Sequence, residues 1–482
     1  MRISLRLVLG LIPVIGLAQA QAPSSLPVPA PVPAQAGPLA SEEDPTLKAL
    51  IQEALDRNPD LAKTKALVEA DKERIPQAKA LPDPSLSLGL QNDGFKGIQV
   101  GKMQTSYYQV MLTQPLPWPG KRGLRGEIAG LGADISKVAV ERTRLTLQAD
   151  VKRAYFGLLL VRGQLQLLED QAIFLKNAQA ITQARYEVGQ GSQADLLRAQ
   201  LELSRLAQTR LSLSSEERVY LAALNRLRGS SEDAPVATTV SLEFLPFHGT
   251  PVEGVLAQAE AQSPELQAAR LGVKQAERSL DLAKRDRYPD FAVSGAVMPR
   301  GALEPMWSVG FSISLPVWSK QKQQRAVAEQ DWRRKSQGSE TESVRNLLYQ
   351  RTRERSAQLA AALGTIQIYR DGLLVQSEAS FHATLAQYET GLVPFLSALE
   401  TLNGWVADRA GLLQAVAQAE AIQIANEEFN LAGTPAISAQ GLAAGSLGMG
   451  GTPGGSAMGA ATPSKAGATA AQGDSSAPSK SM

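Results

Sequence analysis

The feature that most constrains this chain of 482 residues is that it repeats itself at an interval of about two hundred residues. Four landmarks recur in the same order. Asn58-Pro59-Asp60-Leu61 returns as Ser263-Pro264-Glu265-Leu266, and Leu81-Pro82-Asp83 returns as Tyr288-Pro289-Asp290. Leu116-Pro117-Trp118 returns as Leu315-Pro316 followed by Val317-Trp318, and Tyr186-Glu187-Val188-Gly189 returns as Tyr388-Glu389-Thr390-Gly391. Chance could supply one such match, but not four in register, so the chain is a tandem duplication. The first repeat covers residues 42–230, a connector 231–250, and the second repeat 251–433.

Both repeats follow one internal plan. A short helix ends near Asn58, and a second helical stretch runs from Asp60 to Lys79, stopped by Pro82 and Pro84 because proline lacks an N–H and clashes with the preceding turn. The period then changes to two. Leu86, Leu88 and Leu90 alternate with Ser85, Ser87 and Gly89, and Tyr108, Val110 and Leu112 alternate again before Pro115, as a strand with one apolar face requires. Strands are therefore expected at about 85–91 and 107–115, and in the second repeat at about 291–298 and 306–315. From Gly120 the helical period resumes and reaches Gln190 without a proline, with a return limb over Gln193 to Leu227. Some seventy helical residues make a rod of about 100 Å. Ser319 to Tyr388 and Pro394 to Leu431 are expected to repeat this pair of limbs.

Strands of about ten residues match the length that crosses a bilayer when tilted. Four of them cannot close a barrel, and open edges in lipid leave backbone groups unpaired at several kcal/mol each, so the chain is expected to oligomerise. Three copies would supply twelve strands and gather the rods side by side. The expected fold is mostly α with a small β part.

The first twenty residues read as a secretory signal peptide: Arg2 and Arg6, an apolar stretch from Leu7 to Leu17, then the small-residue cleavage site Ala18-Gln19-Ala20. No later stretch has the ~20 apolar residues of a spanning helix, so membrane insertion would use strands. Residues 21–41, Pro/Ala-rich, are expected to be a linker. Residues 434–482, rich in Gly, Ala and Ser, are expected to be a disordered tail. The absence of cysteine removes disulfides, thiolate metal sites, Cys nucleophiles and an N-terminal lipid-bearing Cys together. His248 and His382 stand alone, outside any metal or catalytic spacing. With 49 Lys+Arg against 47 Asp+Glu and no basic stripe, nothing points to nucleic acid. No nucleophile-base pair, metal spacing or phosphate loop suggests an enzyme, and no cofactor or metal site is expected.

The order helix, hairpin, long helix, return helix, duplicated, resembles the TolC family of outer-membrane efflux proteins over roughly Ser41 to Gly433. The string Leu116-Pro117-Trp118-Pro119-Gly120-Lys121 at the strand-to-helix crossing, and Tyr186-x-x-Gly189 followed by Asp195-Leu196 at the helical tip, carry the resemblance. The Pro-Trp-Pro-Gly-Lys run is similar to the branch serving heavy-metal efflux pumps, the CzcC- and CusC-like proteins. The resemblance implies a homotrimer with a 12-stranded β-barrel in the outer membrane of a Gram-negative cell and a long α-helical barrel in the periplasm. It also implies a tip that meets a periplasmic adaptor and an inner-membrane pump of the resistance-nodulation-division type.

In that family acidic side chains ring the tip. Carried over, Asp195 holds the first-repeat position and Glu400 the second of two positions in the second repeat, where Ser397 departs from the first; Tyr186 and Tyr388 border the same region. Gly189, Gly191 and Gly391 are expected at the tip turns and possible adaptor contacts, because tight turns between antiparallel rods demand permissive φ. Pro82, Pro117, Trp118, Pro119, Gly120, Pro289 and Pro316 mark the crossings between strand and helix. Lys121, Arg122 and Arg125 follow the crossing and read as a solvated helix start, or else as side chains that meet lipid head groups or line the duct, and Tyr107, Tyr108, Trp118, Trp307 and Trp318 fit aromatic girdles beside the strands or core packing at the crossing. The function implied is an exit duct of a tripartite efflux system. The alternatives are the duct of a type I protein secretion system and a periplasmic coiled-coil scaffold, which leaves the alternating hairpins unexplained.

Overall fold

The computed structural model of the protein describes residues 44–238, 240–244, 252–434 and 436–437. The expected signal peptide, the Pro/Ala-rich linker, part of the connector with His248, and nearly all of the Gly/Ala-rich tail lie outside the described residues.

The landmark Asn58-Pro59 is a helix junction. Helix α1 (Pro45–Arg57) is capped by Asp44, whose carboxylate accepts from Thr46 N, and α2 (Pro59–Lys79) is capped by Asn58, which accepts from Asp60 N at 2.9 Å and Leu61 N at 3.3 Å. Proline at the first helical position costs no hydrogen bond there. The duplicate junction works alike: Ser263 caps α6 (Pro264–Arg285), which follows α5 (Val252–Gln262), by accepting from Leu266 N. Asn58 also donates from Nδ2 to Leu227 O at 2.9 Å, tying the junction to the end of the return limb. Within α2, Pro76 is exposed one turn before the helix ends, so the helix tolerates it and Lys79 closes the last turn.

Four strands, β1 (Ser85–Gln91), β2 (Tyr107–Leu116), β3 (Asp290–Arg300) and β4 (Leu303–Ser314), form one antiparallel sheet in the order β1-β2-β3-β4. Register sorts the side chains cleanly between the two faces. One row across the sheet is Leu88, Val110, Val297 and Trp307; the adjacent row, on the opposite face, is Ser87, Met111, Ala296 and Ser308. The apolar face is open in the single chain: Leu88 is 75% exposed, Trp307 76% and Val309 73%. Burying such a face in water-free surroundings is favourable at about 25 cal/mol per Å². β1 and β4 are free edges.

Helix α3 (Lys121–Glu187) is 67 residues long and α4 (Gln193–Leu227) runs back along it. In the second repeat the rod is not continuous. Helix α7 (Gln323–Ile368) passes through a π turn at Tyr369–Leu373 into α8 (Leu374–Glu389), and α9 (Phe395–Glu427) returns. The interruption lies against α9: the Tyr369 hydroxyl sits where a Cβ on Gly411 would come within 2.4 Å, so the ring occupies the space Gly411 leaves. The widened turn places Arg370, whose Nη2 donates to Glu243 O at 2.6 Å.

The core lies where the two repeats meet at mid-rod. Leu47, Tyr155, Phe156, Leu158, Leu224 and Val416 pack there, and the Tyr155 hydroxyl donates to Asp44, joining rod to cap. Charge is buried at the end of α9. Glu428 accepts from Arg142 at 2.9 Å and from Arg153, while Arg355, 2% exposed, donates to the carbonyls of Ala425, Asn430 and Ala432. These donors hold a chain reversal in which Phe429 takes φ 52°, a left-handed conformation; its ring is buried against Leu266 and Leu348.

Candidate functional site: the crossing and the helical tip

At the crossing from β2 to α3, Gly120 takes φ 90° and lets the chain turn from strand into rod. The Trp118 ring stacks on Tyr288 at 5.1 Å and on Phe291 at 5.4 Å between centroids. Trp118 N donates to Asp290 Oδ1 at 2.7 Å. Lys121 Nζ donates to the same oxygen at 2.9 Å and to Tyr288 O at 3.0 Å, and lies 3.4 Å from Asp286. Arg285 Nη1 donates to Pro119 O, and Gln114 Nε2 to Pro82 O.

Several expectations change here. Lys121 is not a solvated helix start: its side chain is 3% exposed, and an ammonium so placed needs the two carboxylates it meets. Arg122 donates to Lys79 O, while Arg125 is exposed. Trp118 is half-buried in its stack with Tyr288 and Phe291 at the crossing, and Tyr107 lies on the small-residue face with its hydroxyl donating to Gln91; Tyr108 and Trp307 are on the apolar face. The duplicate Trp318 is 70% exposed, beside Pro316. Pro117 sits between the sheet and the Trp118 stack, and Pro289 between Tyr288 and Asp290. Asp286 and Asp290 carried no functional expectation; their partners lie more than a hundred residues away in sequence.

The tip consists of two helix reversals. Gly189 N bonds to Tyr186 O and Gln190 N to Arg185 O; Gly391 N bonds to Tyr388 O and Leu392 N to Gln387 O. Both are Schellman endings, and Gly189 (φ 75°) and Gly391 (φ 83°) take the left-handed position. Gly191 is different. It has no positive φ, but a Cβ there would lie 2.8 Å from Tyr186 N, so close approach of backbone is what demands glycine.

The paired tyrosines have opposite environments. Tyr186 is 44% exposed and Tyr388 is buried, its hydroxyl 2.7 Å from Thr182 Oγ1. Arg185 joins the two reversals, lying over the Tyr388 ring and donating from Nη2 to Tyr388 O and Glu389 O. Beneath, Phe381, Phe395, Leu402, Leu175 and Ala199 form a second core.

Asp195 lies in the first turn of α4, after the cap Ser192, where a negative charge complements the helix dipole. Glu400 is exposed on α9 two residues beyond buried Ala398, and Ser397, half-buried, lies one turn before it. Neither acid forms an ion pair among the described residues. Among the described residues no group of three His, Asp or Glu is placed to hold a metal, and no helix is long and apolar enough to cross a membrane.

Comparisons with known proteins agree with this arrangement. A profile of the family described as "Outer membrane efflux protein" matches residues 50–231 and 255–425. The chain is 22% identical over 285 residues to the nickel-cobalt-cadmium resistance protein NccC of Alcaligenes xylosoxydans, covering 59% of this chain and 64% of that protein. It is 24% identical over 382 residues to the outer membrane protein TolC of Escherichia coli, covering 74% of this chain and 76% of that one. The crystal structure of the outer membrane protein VceC from Vibrio cholerae superposes with a TM-score of 0.67 at 15% identity, over 82% of this chain and 98% of that chain.

Proposed function

This chain belongs to the outer membrane efflux protein family, and on that premise we propose that three copies form the outer-membrane exit duct of a tripartite efflux system in a Gram-negative cell. The observation that carries the proposal is the sheet. A four-stranded sheet with one apolar face, one face of small and neutral side chains, and two unpaired edges is a segment of a barrel rather than a finished structure. The rods then continue the duct through the periplasm, with the double reversal at Gly189 and Gly391 as the end that meets an adaptor and a pump of the resistance-nodulation-division type.

Transport through a duct needs no bond chemistry; radius and field decide what passes. Glu400, exposed and without an ion pair among the described residues, supplies one carboxylate per subunit to a ring at the tip, with Asp195 beside the neighbouring reversal. Ser397 leaves that ring thinner than a doubled acidic one. Heavy-metal cations are the substrate class, supported by the likeness to a nickel-cobalt-cadmium resistance protein and by the Pro-Trp-Pro-Gly-Lys string. With no cysteine and no grouped ligands among the described residues, metal recognition falls to the pump and the duct acts as a conduit.

The test is conductance of the purified protein in planar bilayers, with the reversal potential under a salt gradient measured for the natural chain and for Glu400→Gln. Discrete channels whose cation preference falls in the variant support the duct and its ring. Folded protein that never conducts sinks the duct, and unchanged preference sinks the role of Glu400 alone.

A further inference from the structure

Among the described residues methionine occurs at Met103, Met111, Met298 and Met306, and all four positions lie in the sheet or its hairpins; the rods contain none. Three of them share one face. Met298 is the cross-strand partner of Met306, and Met111 lies opposite Ala296, two residues along the same face of β3 from Met298. This is the small-residue face, which on the duct reading lines the lumen. The pair sits next to the turn at Gly301, at the end of the sheet away from the crossings. Met298 is 9% exposed, with Met111 and Met306 half-buried.

Packing does not account for this choice of residue. In the paired rows between the crossings and Met298, the apolar face uses Leu, Val, Phe, Trp and Ile and no methionine, whereas the inner face uses methionine and none of those five. A thioether differs from them in one chemical respect, a soft lone pair on sulfur. The neighbours in the two rows, Ser87, Gly89, Ala296 and Ser308, are short and leave room for the thioether chains to turn toward one another. Directly paired side chains have Cβ atoms about 4.5–5.5 Å apart and diagonal ones about 7–8 Å, and the rotatable bonds of methionine let three sulfurs converge from there.

We propose that Met111, Met298 and Met306 form a thioether site on the inner wall of the sheet that takes a soft monovalent cation, Cu(I) or Ag(I), on its way out. The inference rests on the duct reading and narrows its heavy-metal cargo to one class. Charge favours the monovalent ion. No charged side chain stands in the rows of the three methionines, and beyond them Arg300 and Glu304 oppose each other in sign. Neutral sulfurs offer no countercharge to a doubly charged ion such as Ni(II) or Cd(II), whereas a soft, singly charged ion gives up less hydration and gains its preferred donor.

The donors that the described residues lack as groups are carboxylates and imidazoles, and the chain has no thiolate, so three thioethers are the soft set that is left. Such a set holds its ion loosely. An exit needs that weakness, because a cation bound too tightly would plug the wall it is meant to pass. Choice of cargo at entry stays with the pump.

Silver nitrate is the probe, since Ag(I) needs no reductant. The full chain, purified in detergent and chloride-free buffer, is dialysed against it and the bound metal counted, while the same preparation is assayed for conductance. One silver ion per subunit is expected, without comparable uptake of Ni(II) or Cd(II). That uptake should be lost in Met111→Leu/Met298→Leu/Met306→Leu, which keeps apolar volume and removes sulfur. A second readout uses the natural protein alone: silver on the sulfur lone pairs should slow sulfoxide formation by dilute hydrogen peroxide at Met111, Met298 and Met306, read by mass spectrometry, and not at the exposed Met103. Unchanged uptake in the triple variant, equal protection of Met103, equal uptake of Cd(II), or no uptake by a preparation that conducts overturns the site and leaves the duct standing. Silver held at the three sulfurs of folded protein that never conducts overturns the duct and leaves the site, and neither uptake nor conductance overturns both.

Discussion

The guanidinium carbon of Arg185 lies 5.1 Å from the centroid of the Tyr388 ring, and Arg185 Nη2 donates to the Tyr388 carbonyl at 2.9 Å. One side chain of the first repeat thus caps the helix end of the second, satisfying carbonyls that a helix terminus leaves free. The duplicate position in the second repeat is Gln387, which has neither the charge nor the fork, so the link exists once per chain. It ties the two reversals at the tip to each other.

Arg185→Ala is accordingly expected to loosen the tip without unfolding the rods. The loss is about 1–2 kcal/mol, combining a cation–π contact with charge-assisted hydrogen bonds that are partly exposed. Hydrogen exchange should accelerate in residues 178–192 and 385–398 and stay unchanged near Tyr155. Exchange that rises evenly along the chain would show that Arg185 supports the fold and not the tip.

The three tip glycines are expected to separate by mechanism. Gly189→Ala and Gly391→Ala meet strain from positive φ alone, worth about 1 kcal/mol each, and Gly189 has open space around it. Gly191→Ala must displace backbone, since its Cβ would stand 2.8 Å from Tyr186 N and 3.0 Å from the Arg185 carbonyl carbon. It should be the most damaging of the three in thermal unfolding. Equal shifts would mean that conformation, not approach, explains all three.

How far the sequence discloses this structure can be followed residue by residue. Asn58-Pro59 and Ser263-Pro264 are visible because a cap followed by proline has a local cause, and the strands are visible because alternation needs only a face and a period. Duplication then predicts that equivalent residues do equivalent work, and there it misleads. Tyr186 and Tyr388 match in sequence, yet one is exposed and the other buried under Arg185; Trp118 and Trp318 match, yet only one is seated. The fit of the Tyr369 ring into the space above Gly411 was hidden because the two lie on different helices. Lys121 looked solvated because Asp286 and Asp290 are remote in sequence. Local causes are legible; contacts between distant segments are not.

Lys121→Met tests the crossing. Removing the cation leaves Asp290 without its ion-pair partner and strips Tyr288 O of a donor, while the apolar stem is preserved. Breaking a fully buried pair costs about 3–5 kcal/mol, and because Asp290 is partly exposed the expected loss is about 2–3 kcal/mol. Limited proteolysis should cut first between residues 116 and 121. Cleavage elsewhere first, with an unchanged unfolding temperature, would place the strength of the crossing in the Trp118 stack alone.

Glu420 gives the pH prediction. It lies on α9 with 1% exposure, its Oε1 meets no hydrogen-bond donor, and burial, aided by the charge of Glu427 and opposed by Lys152, pushes its carboxyl up to about 8. A carboxyl raised this way binds its proton more tightly folded than unfolded, so folding gains nothing from pH below about 4.5, where both states are protonated. As pH rises from there towards 8 the unfolded chain has released the proton and the folded one has not, and stability falls by up to about 1.4 kcal/mol per pH unit. Above that the folded state ionises as well and the loss levels off. Glu420→Gln, which keeps the shape and cannot ionise, is expected to flatten this slope and to gain on the natural protein steadily between pH 5 and pH 8. Denaturant titrations of both proteins across that range, compared by difference, isolate Glu420 from every other group. Parallel curves would mean that the carboxyl finds water or a donor in the folded protein and titrates normally.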